Sequence, residues 1–476
     1  MFNRLVFCAI LSLSMLFGLS FTVEAQSTVT IPNEQELEKL SIEDLTNQIR
    51  RDKFDLILPQ VMREQEIDMW IHVMREGGAY SFNDVAYGFY DELGDTSGVF
   101  IFTDRGGDRI ERAVLGRRWS GRGPDPIEEC GAYDIIGETV RRREIPRPDT
   151  EYDHRFEGIG EFVTERNPKR IAVNYLDELG STVCADANDG ISHTDYRLLV
   201  KAMGEKYASR LVSSEYLEIN YISRPVPSEI VMLKRIRKWI AESQERSFAK
   251  IVPGFTKVSE LEGEITVMAP GRSRTRDDHV LKGGDLFIVD QGAEAEYDLR
   301  HVGSRWKYGN FFELVVQYGY VLDKGETDVP PEIRRIWDDA IKIRQITTDN
   351  IKVGRTGRET FEIITQELTE AGFNVNPVQR FHEEQDPEKT QVSIDLHALG
   401  KGSNAPRIGS IGPAWEHEIP LPLNHHFMME FFIYRASPSK RYGSKYLMLW
   451  FHDGAIVTDG GVEFLSPPPT KIRLIR

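Results

Sequence analysis

Cysteine is nearly absent from this chain, with three in 476 residues, at positions 8, 130 and 184. None has CxxC spacing, so neither a zinc-ribbon site nor a disulfide-built small fold is indicated. A bridge between Cys130 and Cys184 would need an oxidising compartment and suitable geometry; that pairing and two buried thiols both stay open. Positive charge is also in deficit: 59 Lys and Arg against 75 Asp and Glu give a net charge of -16. Without a basic stripe, nucleic acid is not an expected partner, and the charge serves solubility. Low-complexity segments are missing, as are repeats with a period of roughly 20–50 residues, which argues against a solenoid.

Long apolar runs are confined to one place. LVFCAILSLSMLFGLSFTV follows Asn3 and Arg4, and Val23-Glu24-Ala25 then offers residues at the two positions a signal peptidase reads. Polar residues (EAQST) follow at once, and Cys8 lies too early for a lipid-attachment box. Residues 1–25 are therefore expected to be a cleavable signal peptide. That implies a secreted or periplasmic protein without stable membrane insertion. Cleavage removes Arg4 and Glu24 and leaves the charge at -16.

The remaining chain is long enough for two domains. Residues 26–225 alternate helical and extended patterns. QELEKLSIEDLTNQIRR reads as a helix, and FDLILPQVMREQEID as another ending near Gln65. MWIHVMRE, SGVFIFTD and RIAVNYL read as strands, and DYRLLVKAMGEKYASRLV as an amphipathic helix. This alternation predicts an α/β domain. A long helix over 226–250 then opens a second region, 226–476, with Pro227 and Ser228 as its start signal.

The second region carries the chemistry. Its segments are VDQG at 289–292, RHVG at 300–303, LHALG at 396–400, MMEFFIY at 428–434 and FHDGAIVTDGG at 451–461. Asp290, His301, His397, Glu430 and His452 follow one another at intervals of 11, 96, 33 and 22 residues. A lone carboxylate within an apolar run, as at Glu430, is costly to bury unless a charge meets it. Order and spacing resemble the creatinase and Xaa-Pro aminopeptidase superfamily (peptidase family M24). IDMWIHVMREGG likewise resembles the start of that family's N-terminal domain. The resemblance implies an α/β (α+β) protein, with a creatinase-like N-terminal domain before a C-terminal pita-bread domain. It also implies a homodimer, in which the N-terminal domain packs against the partner and helps close the site.

The family's ligand order is Asp, Asp, His, Glu, Glu, and its second and fifth members bridge two metals. Here those positions hold His301 and His452. A neutral imidazole offers one lone pair and cannot bridge as a carboxylate does, so the two-metal centre is expected to be lost. Three histidines with Asp290 and Glu430 suit a single divalent ion: zinc, iron or manganese. A one-residue slip would put Phe451 at the fifth position, but HDGAIVT matches the family's E-D-x-x-x-V-T better, through Asp453, Val457 and Thr458. Asp298 competes with His301 for the second position, and His301 keeps the family spacing. Core or turn-capping roles remain the plainer alternatives for each of these residues.

Other family features are missing. The two substrate-facing histidines would fall at Ser273 and Asn404. HEIP at 417–420 lies 20 residues past His397, and an inserted loop (APRIGSIGPAWE) would have to return His417 and Glu418 to the cleft. GRSRTRDD at 271–278 would face the cleft; GKGS at 400–403 lacks the spacing of a phosphate loop. The expectation is a hydrolase that acts on a short peptide or small amide through one metal. Glu430 or Glu418 would handle the proton, with His417 as the other catalytic candidate. The alternatives are an inactive pita-bread protein that binds a peptide or protein partner, a metal-free creatinase-like C–N hydrolase, and oxidative chemistry at iron.

Overall fold

Both faces of the first sheet are buried, which explains why MWIHVM is apolar at nearly every position. The computed structural model describes residues 33–74, 93–94, 97–119, 125–137, 140–141, 154–176, 190–268, 278–294, 311–398, 405–437 and 445–476. The expected signal peptide, Cys184, Ser273, Asp298, His301 and Asn404 lie outside the described residues, as do GKGS and all of GRSRTRDD except Asp278.

The first sheet is built from β1 (Met69–Met74), β2 (Gly98–Thr103), β3 (Glu111–Leu115), β4 (Ile135–Ile136), β5 (Ile171–Val173) and β6 (Leu211–Ser213), in the order β4-β3-β2-β1-β5-β6. Alternate residues point to opposite faces. Trp70, Phe100, Phe102 and Val114 enter one core with Phe54 and Leu58, while Met69, Ile71, Val99 and Ile101 enter another with Val163 and Leu199. His72 is the polar exception on β1; its Nδ1 lies 3.0 Å from Glu218 Oε1.

Three expected helices shift. QELEKLSIEDLTNQIRR is interrupted, with a short helix Glu34–Leu37 ending before Ser41 caps α1 (Ile42–Leu56). The helix expected over FDLILPQVMREQEID gives its first residues to α1 and continues as a second helix, Leu58–Glu64, with Pro59 near its start. Pro lacks the N–H that would continue the ladder. DYRLLVKAMGEKYASRLV is also not one helix. Its first part, α2 (His193–Met203), stops at Gly204, whose φ of +74° is open to glycine, and Leu211–Ser213 becomes β6.

The second region opens with α3 (Pro227–Lys250), which packs on an antiparallel set: β7 (Glu264–Val267), β8 (Leu286–Glu294) and β9 (Phe312–Val321). Next come α4 (Pro331–Asn350) and α5 (Gly357–Glu370), then a second sheet. That sheet holds β10 (Asn374–Val375), β11 (Gln391–His397), β12 (Ile408–Gly409), β13 (His426–Ala436), β14 (Tyr446–Thr458) and β15 (Gly461–Phe464), ordered β10-β11-β13-β14-β15 with β12 beside β11. A last strand, β16 (Arg473–Ile475), returns alongside β9. One core joins the two sets: Ile288, Val316 and Tyr318 from the first meet Ile394, Phe431, Leu449 and Phe451 from the second, against Ile336 and Trp337 of α4. Tyr318 locks them further. Its hydroxyl donates to the Trp450 carbonyl and accepts from the Trp450 N–H, each at 2.8 Å.

Candidate metal centre

Phe431 and Phe451 determine which way the site residues face. They are register partners on β13 and β14, each 1% exposed, with rings stacked at 4.8 Å and 10°. With both rings committed to the core, the preceding Glu430 and following His452 must point to the opposite face. Those two are also register partners, and Asp395 of β11 pairs with Glu430 from its other side. Asp395, Glu430 and His452 therefore form one row across three strands. His397, two residues beyond Asp395, shares that face. The packing of Phe451 thus gives His452, and not Phe451, the place on the site face.

Glu430 is held between two imidazoles. His397 Nε2 lies 3.1 Å from its Oε2, and His452 Nε2 lies 3.1 Å from its Oε1. Burial pushes the Glu430 carboxyl up, but the two imidazoles outweigh it and hold the pKa at about 2. For His397, burial opposes protonation; the bond to Glu430, the Asp395 charge and the Ala398 carbonyl overcome it and raise the pKa. His397 Nδ1 sits 2.7 Å from the Ala398 carbonyl, so it carries the hydrogen and donates. His397 Nε2 then needs either a second proton or a cation to share with Glu430.

Asp290 approaches from β8. Val289 is buried in the core under α3, so Asp290 turns to the other face, the side of Ile288. Burial raises its pKa, and it is close enough to His452 and Glu430 to feel both charges. Its Oδ1 is buried without a hydrogen-bond partner among the described residues, and neither ring nitrogen of His452 makes a well-directed hydrogen bond there.

These residues fit a divalent ion. Metal–nitrogen and metal–oxygen bonds of about 2.0–2.2 Å put neighbouring ligand atoms of one ion about 3 Å apart, the spacing around Glu430. A ligating histidine normally donates its other N–H to a carbonyl, as His397 does to Ala398. Asp290, His397, Glu430 and His452 would supply the donors. Asp395, His397 and Glu430 also offer atoms within 4.8 Å of one another. Asp395, however, is already clasped by Arg407, through Nε and Nη2 at 2.6 Å each.

The inserted loop does return to this neighbourhood, bringing Glu416 to Arg407 instead of presenting His417 and Glu418 to the site face. Arg407 Nη1 binds Glu416 Oε2 at 3.1 Å. His417 is buried with Nδ1 3.0 Å from the Arg407 carbonyl, and Glu418 pairs at the surface with Arg358 at 2.5 Å. Asp395, Arg407 and Glu416 are the residues that the sequence reading passed over. Asp395 had a signal, since it shares a strand face with His397; Arg407 had none.

Solved structures share the fold, three among them at a TM-score of 0.50 or more. The X-Pro aminopeptidase of Thermotoga maritima aligns over 87% of this chain and 100% of its own, with a TM-score of 0.55 and 15% identity. A dipeptidase of Pyrococcus horikoshii covers 90% of this chain and 100% of its own (TM-score 0.51, 12% identity). The Xaa-Pro dipeptidase of Bacillus anthracis covers 93% and 100% (TM-score 0.50, 16% identity). No protein-family model and no curated protein matches the sequence. At these identities, the likeness is one of fold.

Proposed function

We propose that this chain, which has the mixed α/β pita-bread fold of the Xaa-Pro peptidase structures, is a divergent hydrolase with a single divalent metal ion, acting on a short peptide or small amide. One observation carries the reading: two imidazole nitrogens, each 3.1 Å from a different oxygen of the Glu430 carboxylate. The unpartnered Asp290 Oδ1 supplies a further donor. A divalent ion held there would polarise a substrate carbonyl and acidify a water.

The protein's own groups would then orient the substrate and move the proton. Glu430 would serve for this, since Glu418 pairs with Arg358 at the surface. His301 remains a proposed further ligand. Export through residues 1–25 and assembly as a homodimer also belong to this proposal.

Metal content per chain, measured on purified protein after loading with zinc, manganese or ferrous ion, tests the reading. The expectation is close to one ion for the wild type and none for His452→Ala or Glu430→Gln. Hydrolysis of short peptides should be abolished by chelator and restored by the ion. A second reading, a binding protein without turnover, is favoured by the same contacts if a proton, not a metal, lies between His397 and Glu430. Absence of metal after loading would select it.

A further inference from the structure

Asp395 stands in the same row as Glu430 and His452, within ligand reach of His397 and Glu430, yet both of its oxygens are occupied. We infer that Arg407 is a fixed internal cation that withholds Asp395 from metal coordination and so limits the site to one ion. This rests on the proposed single-metal reading and names the residue that enforces it.

The guanidinium meets Asp395 as a fork, with Nε to Oδ1 and Nη2 to Oδ2 at 2.6 Å each. Paired short contacts of this kind are stronger and more directional than a single neutral hydrogen bond. The third nitrogen, Nη1, reaches Glu416 Oε2 at 3.1 Å. Arg407 therefore spans two carboxylates with one delocalised positive charge. It does for Asp395 what a metal would do, without an open coordination position.

Arg407 is also held from every side. Its backbone N–H donates to the Glu416 carbonyl at 2.9 Å, and its carbonyl lies 3.0 Å from His417 Nδ1. Gly357 permits this approach, since a Cβ there would come within 2.0 Å of the Arg407 carbonyl oxygen. Gly412, at φ +100°, leaves room for the guanidinium, where a Cβ would sit 2.6 Å from Nη1. Asp395 is 5% exposed and Arg407 8%, so neither escapes to water. An ion competing for Asp395 would have to displace a buried, doubly bonded guanidinium, leaving that charge with Glu416 alone.

Isothermal titration with zinc, checked by elemental analysis, reads the inference without reference to activity. In the wild-type protein, Asp395→Asn should leave zinc stoichiometry unchanged, because Asp395 is not a ligand, with Kd shifted only by the loss of its charge beside His397. A stoichiometry below that of the wild type overturns the inference. Arg407→Met frees Asp395, so it should raise stoichiometry above that of the wild type, and adding Asp395→Asn should remove the gain. Unchanged stoichiometry in folded Arg407→Met also overturns it. If wild type binds no zinc and Arg407→Met binds one ion, the single-metal reading fails while the role of Arg407 stands. If neither binds, both fail.

Discussion

A buried charge is costly unless charges or hydrogen bonds meet it, and Glu313 shows how this chain does so. Glu313 is fully buried on β9. Its Oε2 accepts from Arg237 Nη1 of α3 at 2.8 Å, and its Oε1 lies 2.6 Å from His426 Nε2 at the start of β13. Burial pushes the carboxyl up, but the histidine and arginine hold its pKa below the ordinary range. Gly454, two residues past His452, leaves the pair its space: a Cβ there would lie 2.3 Å from Glu313 Oε2 and 2.7 Å from Arg237 Nη1. Arg237→Met should therefore cost about 3–5 kcal/mol in urea unfolding, because the carboxylate stays buried without one of its two partners. Gly454→Ala should also destabilise, by forcing that pair apart. A loss below about 1 kcal/mol for Arg237→Met would mean that His426 alone satisfies Glu313.

At the scale of the strand, neighbouring residues on β14 have opposite duties, which the same substitution can separate. Phe451 fills the core against Phe431, Tyr318 and Trp337, with ring centroids at 4.8, 5.6 and 5.4 Å. Phe451→Ala should lower stability by about 3–5 kcal/mol, the usual cost of truncating a buried aromatic ring. His452→Ala should change stability far less and remove the proposed ion. Urea unfolding and metal content, measured on both variants, check the division; equal stability losses would put His452 in the core as well. This alternation also shows what could be read in the sequence. Asp290 and Glu430 stand out as carboxylates inside apolar strands, and long runs such as MWIHVM announce a strand buried on both faces. The choice between Phe451 and His452 became firm only with the Phe431 stack. Arg407 was not legible: its partners Asp395 and Glu416 lie 12 and 9 residues away, with a loop between them. No short-range pattern signals such a clasp. The break at Gly204 was visible as a glycine, but the return of Leu211–Ser213 to the first sheet depends on tertiary pairing with β5.

Across the whole molecule, His425 links the region before α3 to the second sheet. It is 1% exposed, its ring stacks near Phe427 at 6.1 Å, and its Nδ1 lies 3.4 Å from the carbonyl of Ser223. Burial holds its pKa down at about 4, with neighbouring His426 also opposing protonation. The sign follows from which state takes the proton first. As pH falls below the unfolded value of about 6.5, the unfolded chain protonates His425 while the folded chain does not, so stability present above that pH is lost progressively towards about pH 4. A gap of about 2.5 units corresponds to roughly 3 kcal/mol over that range. Carboxylates add their own dependence, so the comparison must be between proteins that differ only at this position. His425→Gln cannot take up the proton, so its urea midpoint should fall less than that of the wild type between about pH 7 and pH 5. Identical slopes would show that His425 is not the group whose protonation loosens this junction. A steeper wild-type slope would identify the junction as the acid-sensitive part of the fold, separate from the metal centre on the site face.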